Sequence, residues 1–227
     1  VHDGAAGVAS KVQRAIEASI EGRLEVGSDT ILWDDTFLGT THNLSKYGLL
    51  TTTFTTAQAG GKLTLNNSGV NTSGAGAIIR TYRTFPLLGM YSLAMDFSFD
   101  LALAVQSQNN IRMGFGVPNT VATAPVDGIY LEIDTAGAIQ LVANFNGVST
   151  TATATGFTVT ANRQYHCRII VHIDRAELWI DGVLYAAISR SSANSSGTLC
   201  AISSAPIFAQ LHNNAATSGA QKLNISR

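Results

Sequence analysis

The chain has 227 residues, of which 45% are hydrophobic and 13% are charged, and its formal net charge is -1. This length suffices for one sizeable β-sandwich, and the near-neutral charge argues against electrostatic capture of nucleic acid or of an anionic membrane. We see no signal-peptide pattern and no apolar run long enough to cross a bilayer. Together with the near-neutral charge, this leads us to expect neither a nucleic-acid partner nor a membrane partner.

The first predicted element is a helix from about Asp3 to Leu24. Apolar residues recur there at helical spacing and form one stripe, which includes Val8, Val12, Ile16, Ile20 and Leu24. A short amphipathic helix must bury such a stripe, either on its own β-domain or on another subunit or a larger assembly. We therefore predict an N-terminal helical arm over residues 1–27, acting in assembly, and a β-domain over residues 28–227.

The rest of the chain consists of short alternating segments separated by turn signals, a pattern typical of an antiparallel sandwich. We expect Thr30–Asp35 to begin this domain. The longest alternation, Tyr91–Leu103, is predicted to be a central strand. In Ile111–Val117 one side is mostly small, so a close approach to that side is expected. Asn146-Gly147 is a strong hairpin signal.

The segment Tyr165–Tyr185 reads as a three-strand antiparallel meander. Apolar residues alternate from Tyr165 to Ile173, which we predict to be the second central strand. Asp181-Gly182 suits a type I′ turn, in which both central residues need a positive φ. Cys167 shares the apolar face of this meander, which favours a buried thiol over a disulfide with Cys200.

The run LWIDGVLY at the end of this meander resembles the late strands of concanavalin A-like (laminin-G-like) jelly-roll domains. The run ILWDDTFLG, followed by NLSKYG, resembles the first strand of lectin-like modules in the structural proteins of tailed phages. These resemblances imply an all-β, concanavalin A-like antiparallel β-sandwich (jelly roll). They also imply a non-enzymatic protein of the virion, a capsid decoration, fibre or tail component whose partners are other virion proteins.

Low charge in a β-rich chain promotes association along strand edges unless the edges are covered. We therefore expect a homo-oligomer as well.

Glu132 and Asp134 are two residues apart on a predicted strand, so their carboxylates should share one face. Such a pair could serve a glycosidase or hold a cation. The segment resembles the E-x-D-x-x-E motif of jelly-roll β-glucanases, but Gly137 stands at the third acidic position, where a general acid would be needed. It also resembles the metal-binding V-E-F-D-T strand of legume lectins, although the residues that follow supply almost none of that family's other ligands. A solvated strand face is the simpler interpretation, and a weak metal or sugar site is the alternative; we expect no enzyme activity, cofactor or tightly held metal.

Trp179 is opposite in phase to Leu178 and Ile180, so its indole faces outward if those two face the core. An outward Trp can stack on a sugar or anchor an interface, although a neighbouring strand or the helix could also cover it. Trp179, Tyr130, Glu132 and Asp134 form the candidate glycan-binding or interface residues. They support an alternative function, a carbohydrate-binding module or lectin that recognises host or environmental glycans, including cell-surface glycans.

Overall fold

The structure, a computed structural model, describes residues 32–87, 92–103, 108–190, 198–215 and 220–226. The predicted helix Asp3–Leu24 and its arm residues Val8, Val12, Ile16, Ile20 and Leu24 lie outside these ranges. The chain divides into two compact units, Val1–Asp35 and Thr36–Arg227. In the first unit the described residues 32–35 adopt no helix or strand, whereas the second unit carries the β-structure. Within the described ranges, no helix has the length and hydropathy that a bilayer crossing requires.

The second unit contains fourteen described strands. They are β1 (Tyr47–Thr52), β2 (Thr55–Ala59), β3 (Lys62–Asn66), β4 (Gly76–Pro86), β5 (Leu93–Leu101), β6 (Asn109–Gly116), β7 (Gly128–Ile133), β8 (Ile139–Phe145), β9 (Val148–Thr153), β10 (Tyr165–Val171), β11 (Arg175–Ile180), β12 (Val183–Ser189), β13 (Ser204–Asn213) and β14 (Lys222–Ser226). Sheet 1 has the order β1-β4-β13-β6-β7-β8-β9, and sheet 2 has the order β12-β11-β10-β5-β14-β3-β2. All named pairs are antiparallel, which confirms the predicted antiparallel sandwich.

The core lies between the sheets and is built from the inward phase of each strand. In sheet 2 the central strand β5 directs Phe97, Phe99 and Leu101 inward, and β10 adds Tyr165 and its alternate neighbours. Sheet 1 contributes the alternate apolar residues of β6 and β7 from the opposite side. Full burial of this many aromatic and branched side chains is the main favourable contribution to folding. The predicted central positions of the strands around Phe97 and Tyr165 are confirmed.

Two hairpins have the geometry that their sequences predict. Asn146 and Gly147 have φ values of 48° and 79°, and Asp181 and Gly182 have values of 50° and 80°. Positive φ at both central positions defines the type I′ turn, whose twist matches that of the flanking strands.

Two boundaries differ from the sequence prediction. The described part of the predicted opening segment, residues 32–35, is not a strand; Phe37 (φ 49°) and Gly39 (φ 96°) have positive φ, and the first described strand, β1, starts at Tyr47. The strand predicted to reach Ile173 ends at Val171. Ile173 is 57% exposed because it lies in the turn between β10 and β11.

Both cysteines are buried free thiols, as the sequence favours. Burial raises the pKa of Cys167, and burial together with the nearby Asp127 raises the pKa of Cys200 to about 12. Both groups are therefore protonated at neutral pH and serve as small apolar side chains.

We predict that Phe97→Asp abolishes folding, because Phe97 is 3% exposed at the centre of sheet 2 and an unpaired carboxylate there would be desolvated. The expected loss exceeds about 4 kcal/mol of unfolding free energy, measured by chemical denaturation. Ala94→Asp is the matched control, since Ala94 is exposed on the other face of the same strand. A folded Phe97→Asp protein with the melting temperature of the control would contradict the assigned phase of β5.

Candidate functional site

The outer face of sheet 1, the face directed away from sheet 2, is covered by the segment 117–127, which we call the strap. Gln210 projects from β13 and its Nε2 donates to the carbonyl oxygens of Val121 (2.9 Å) and Thr123 (3.0 Å). Asn144 projects from β8 and its Nδ2 donates to the Pro125 carbonyl at 2.6 Å. Two buried amides of the sheet thus fix the backbone of the strap, whose polar groups would otherwise lack partners.

Tyr130 lies beneath the strap and is 1% exposed, so it is no surface contact for a glycan; this corrects the sequence-based assignment. It forms a small apolar cluster with Val142 and Phe208, against which Ala124 of the strap packs. The Tyr130 and Phe208 rings meet edge to face with centroids 5.7 Å apart. Gly114 lies between them on β6, where a Cβ would stand 2.6 Å from the Tyr130 Cα. The expected close approach at β6 is therefore that of its own neighbouring strand.

Glu132 belongs to a buried polar network on the same face. Arg112 Nε donates to Glu132 Oε1 at 2.8 Å, and Asn110 Nδ2 donates to the same oxygen at 2.9 Å. Arg112 Nη1 also donates to Gln210 Oε1 at 3.1 Å. The side chains of Arg112 and Glu132 are only 9% and 12% exposed. A buried pair of this kind is expensive to break, because the remaining charge would be left without a partner.

His212 completes this network from β13. Its Nδ1 lies 3.3 Å from Arg112 Nη1, and its Nε2 is buried without a hydrogen-bond partner among the described residues. Burial and the Arg112 charge lower the pKa of His212 to about 4. The imidazole is therefore neutral at neutral pH, and its Nδ1 can accept the hydrogen bond from Arg112.

Asp134 has a local structural role. Its Oδ1 accepts the backbone N–H groups of Ala136 and Ala138, both at 2.9 Å, and so shapes the turn after β7. Gly137 in this turn has a φ of 82°, a conformation that an acidic side chain would adopt only with strain. The backbone of this turn therefore favours glycine over a third acidic residue at that position.

The chemistry available at this face is therefore limited. Glu132 is neutralised by Arg112, and Asp134 is engaged by backbone donors, so neither resembles a carboxylic acid poised to donate a proton. Among the residues that the structure describes, no group of three or more His, Cys, Asp or Glu side chains could hold a metal ion.

The outer face of sheet 2 carries Trp179, which is half-buried near the end of β11. Its Nε1 donates to Glu177 Oε2 at 2.9 Å, and Arg175 Nε donates to Glu177 Oε1 at 2.5 Å. Burial raises the pKa of Glu177, but the hydrogen bonds from Arg175 and Trp179 outweigh it and lower the pKa below its usual value. Glu177 is thus an ionised anchor that fixes the orientation of the indole.

Exposed side chains flank Trp179 along one row of sheet 2. Arg168 stands opposite Trp179 on β10, and Asp96 stands opposite Arg168 on β5. Arg168 forms a two-point pair with Asp96, Nε to Oδ1 at 2.6 Å and Nη2 to Oδ2 at 3.2 Å. On the other side lies Leu184 of β12, which is 45% exposed. This row, the Trp179 platform, combines an aromatic ring, a charged hydrogen-bonding pair and an apolar side chain.

The structure does not bring the four predicted glycan-binding or interface residues together. Trp179 lies on sheet 2, whereas Tyr130 and Glu132 lie on sheet 1 and Asp134 lies in a turn that follows it. The pairing of Arg112 with Gln210 could not be predicted, because a cross-strand contact between residues nearly 100 positions apart leaves no mark in a single sequence.

Solved structures with little sequence similarity share this architecture. The carbohydrate recognition domain of Emp47p has a TM-score of 0.56 and 12% identity, with 85% of this chain and 92% of that chain covered. A glycoside hydrolase family protein from Mycobacterium thermorestibile has a TM-score of 0.59 and 13% identity, with 86% of this chain and 98% of that chain covered. A glycosyl hydrolase family protein from Mycobacterium fortuitum has a TM-score of 0.58 and 14% identity, with 86% of this chain and 97% of that chain covered.

The two antiparallel sheets and these likenesses define the class: the fold is a concanavalin A-like, lectin-like β-sandwich. Within it, residues 58–185, more than half of the chain, match the family described as "SO2946-like, C-terminal domain", and the chain belongs to that family. No curated protein matches the sequence.

We predict a pH dependence of stability that originates at His212. Its pKa of about 4 in the folded state is below its ordinary value of 6.5, so the unfolded chain binds the proton first. Above pH 6.5 His212 is neutral in both states and does not change the free energy of unfolding. As the pH falls from 6.5 towards 4, the unfolded chain takes up the proton and the free energy of unfolding decreases, by at most about 1.4 kcal/mol per pH unit.

The measurement is the free energy of unfolding between pH 7 and pH 5 for wild type and His212→Gln. The His212 variant should show the shallower slope. Identical slopes for wild type and His212→Gln would contradict the neutral, buried state of His212.

Proposed function

We propose that this chain is a non-catalytic carbohydrate-binding domain whose sugar contact is the Trp179 platform. The observation that carries the proposal is the half-buried indole of Trp179 on the outer face of sheet 2, whose N–H is held by the ionised Glu177. A ring that is already oriented loses little conformational entropy when a ligand stacks on it. The fold alone would not decide this function, because similar sandwiches carry both lectin and hydrolase names.

The groups around the ring suit a neutral oligosaccharide. Asp96 and Arg168 neutralise each other, so the platform offers hydrogen-bond donors and acceptors without a net charge. Sugar hydroxyls can pair with such a fork while the apolar face of the sugar ring covers Trp179 and Leu184. This combination supports recognition of neutral sugars with the modest affinity of a small, open surface.

The non-catalytic part of the proposal is supported by the state of the carboxylates. A retaining glycosidase needs two carboxyl groups flanking one bond, one of them able to donate a proton. Glu132 is paired with Arg112 beneath the strap, and Asp134 accepts two backbone N–H groups. Gly137 supplies no third group.

A second candidate function, a projecting component of a phage virion that assembles through its N-terminal arm, is favoured by exposed apolar side chains on edge strands. Among the described strands, β1 and β9 form the edges of sheet 1. Leu50 on β1 is 49% exposed, and Val148 on β9 is 62% exposed. Exposed apolar edges promote pairing with other chains. This function predicts homo-oligomers and contacts with capsid or tail proteins.

We predict that Trp179→Ala weakens binding to neutral oligosaccharides at least about tenfold, because it removes the central stacking surface. The measurement is a panel of glucan, mannan, xylan and galactan fragments, read by glycan array and calorimetry. Trp179→Phe keeps a ring and should retain part of the affinity.

Val148→Ala, on the edge of the other sheet, is the control and should bind as wild type does. Unchanged binding by Trp179→Ala would contradict the platform. Release of reducing ends from any fragment, abolished by Glu132→Gln, would contradict the non-catalytic assignment.

For the arm we predict that deleting residues 1–27 leaves a folded β-domain with a nearly unchanged melting temperature, because the strands that make the core begin at Tyr47. The deletion should abolish oligomer formation or attachment to particles, measured by light scattering and co-sedimentation. A truncated protein that unfolds would place the helix in its own core. A truncated protein that assembles normally would assign assembly to the sheets instead.

A further inference from the structure

One edge of sheet 1 is formed by β9, an edge strand without charge. Residues 135–162, which include β8 and β9, contain no Asp, Glu, Lys, Arg or His, although charged residues make up 13% of the chain. β9 also contains no proline, and it pairs with β8 without a register shift. Natural sheets commonly protect their edges with lysine, proline or a bulge, and β9 lacks all three. This edge is therefore open to pairing with another strand.

The backbone groups of Ser149 and Thr151 point away from β8. The residues that flank the two-residue Asn146-Gly147 turn exchange both of their backbone hydrogen bonds. Hydrogen-bonded pairs alternate along an antiparallel ladder, so the even-numbered residues of β9 bond to β8 and the odd-numbered residues face the open side. The bond from the Ala154 N–H to the Ile139 carbonyl at 2.8 Å continues this alternation.

The open side of β9 thus presents the N–H and the C=O of both Ser149 and Thr151. Within the described part of the chain these groups have no backbone partner, and both residues are exposed. Thr153 differs, because its carbonyl oxygen accepts the Thr155 N–H at 2.9 Å. Val148, on the opposite phase of the strand, is 62% exposed. A second chain can therefore reach two complete pairs of donors and acceptors with an apolar side chain beside them.

We propose that β9 pairs antiparallel with β9 of a second copy about a two-fold axis and so joins two seven-stranded sheets. When Ser149 lies opposite Thr151 of the second copy, the two residues exchange both bonds, and the symmetry repeats the exchange. Every open group is then paired, and Val148 is covered by Ala152 of the second copy. Placing Thr151 opposite itself would direct the Ser149 N–H to the Thr153 carbonyl, which is already engaged.

A second copy fits this edge better than a charged partner does. When a strand pairs with itself, its residues near the axis meet their own copies or near neighbours, and like charges placed opposite each other are destabilising. The absence of charge over residues 135–162 removes that penalty and gives a charged partner nothing to match. Ser149 and Thr151 also suit each other, since hydroxyl side chains opposite one another on a ladder can form a hydrogen bond.

This inference rests on the second candidate function only in expecting a homo-oligomer. It assigns the contact between two copies to β9, whereas the N-terminal arm would act in larger assemblies and in attachment to particles. Sugar binding at the Trp179 platform involves the other sheet and can fail without affecting the pairing of β9.

The test measures self-association of the full chain by sedimentation equilibrium, together with amide hydrogen exchange at low and high protein concentration. One strand edge makes a small interface, so we expect a dimer that dissociates at about 1–100 µM. The amides of Ser149 and Thr151 should exchange at least about fivefold more slowly at the high concentration, because only the dimer protects them. Association through the arm alone would leave the exchange of these two amides unchanged.

Thr151→Pro removes an N–H that faces the open edge, so it should weaken association at least about tenfold and leave the pairing with β8 intact. Ser149→Glu and Thr151→Lys should each weaken the dimer, because each brings like charges of two copies together. The double variant Ser149→Glu/Thr151→Lys places opposite charges across the interface and should restore association. Ala57→Lys, on the exposed edge strand β2, is the control and should associate as wild type does.

Thermal melts establish that the substitutions leave the fold intact; if Thr151→Pro does not fold, the charge variants decide. A wild type that stays monomeric across this concentration range would overturn the proposal. Equal exchange of the Ser149 and Thr151 amides at both concentrations, or a double variant as weak as the single variants, would do so as well.

Discussion

The alternation of side chains along β5, β10 and β11 is the constraint on which the rest of the molecule depends. Phe97, Tyr165 and Leu178 must face sheet 1 to complete the core. Because the side-chain period of a strand is two, this requirement sends Asp96, Arg168 and Trp179 to the outer face. The residues of the Trp179 platform are thus the outward-facing neighbours of the residues that form the core.

The two sheets use their outer faces differently. Sheet 2 leaves the Trp179 platform accessible, whereas the strap of residues 117–127 covers the middle of sheet 1 and buries Arg112, Glu132 and His212 with it. The hydrogen bonds from Gln210 and Asn144 to carbonyl oxygens of the strap stabilise one arrangement of the strap over others. The Glu132 carboxylate consequently acts as the structural counter-ion of Arg112.

Much of the fold could be predicted because its signals are local. Asp181-Gly182 and Asn146-Gly147 require positive φ by their own chemistry, and the phase of Phe97 is visible from its alternating neighbours. Tyr130 could not be placed correctly, since its outward phase predicts exposure and only a distant strap buries it. The apolar run Leu32-Trp33 resembles a strand in the sequence, but the described residues 32–46 contain no strand.

The central claim is that a neutral sugar contacts the outer face of sheet 2 and not that of sheet 1. The direct measurement is an amide and indole chemical-shift titration of the full chain with the neutral fragment that binds most strongly. We expect the largest shifts at the indole N–H of Trp179, assigned with Trp179→Phe, and at the amides of β10, β11 and β12. Shifts confined to the strap and to β6 and β7, with the Trp179 indole signal unchanged, would contradict the account and assign the sugar to the face that carries Glu132.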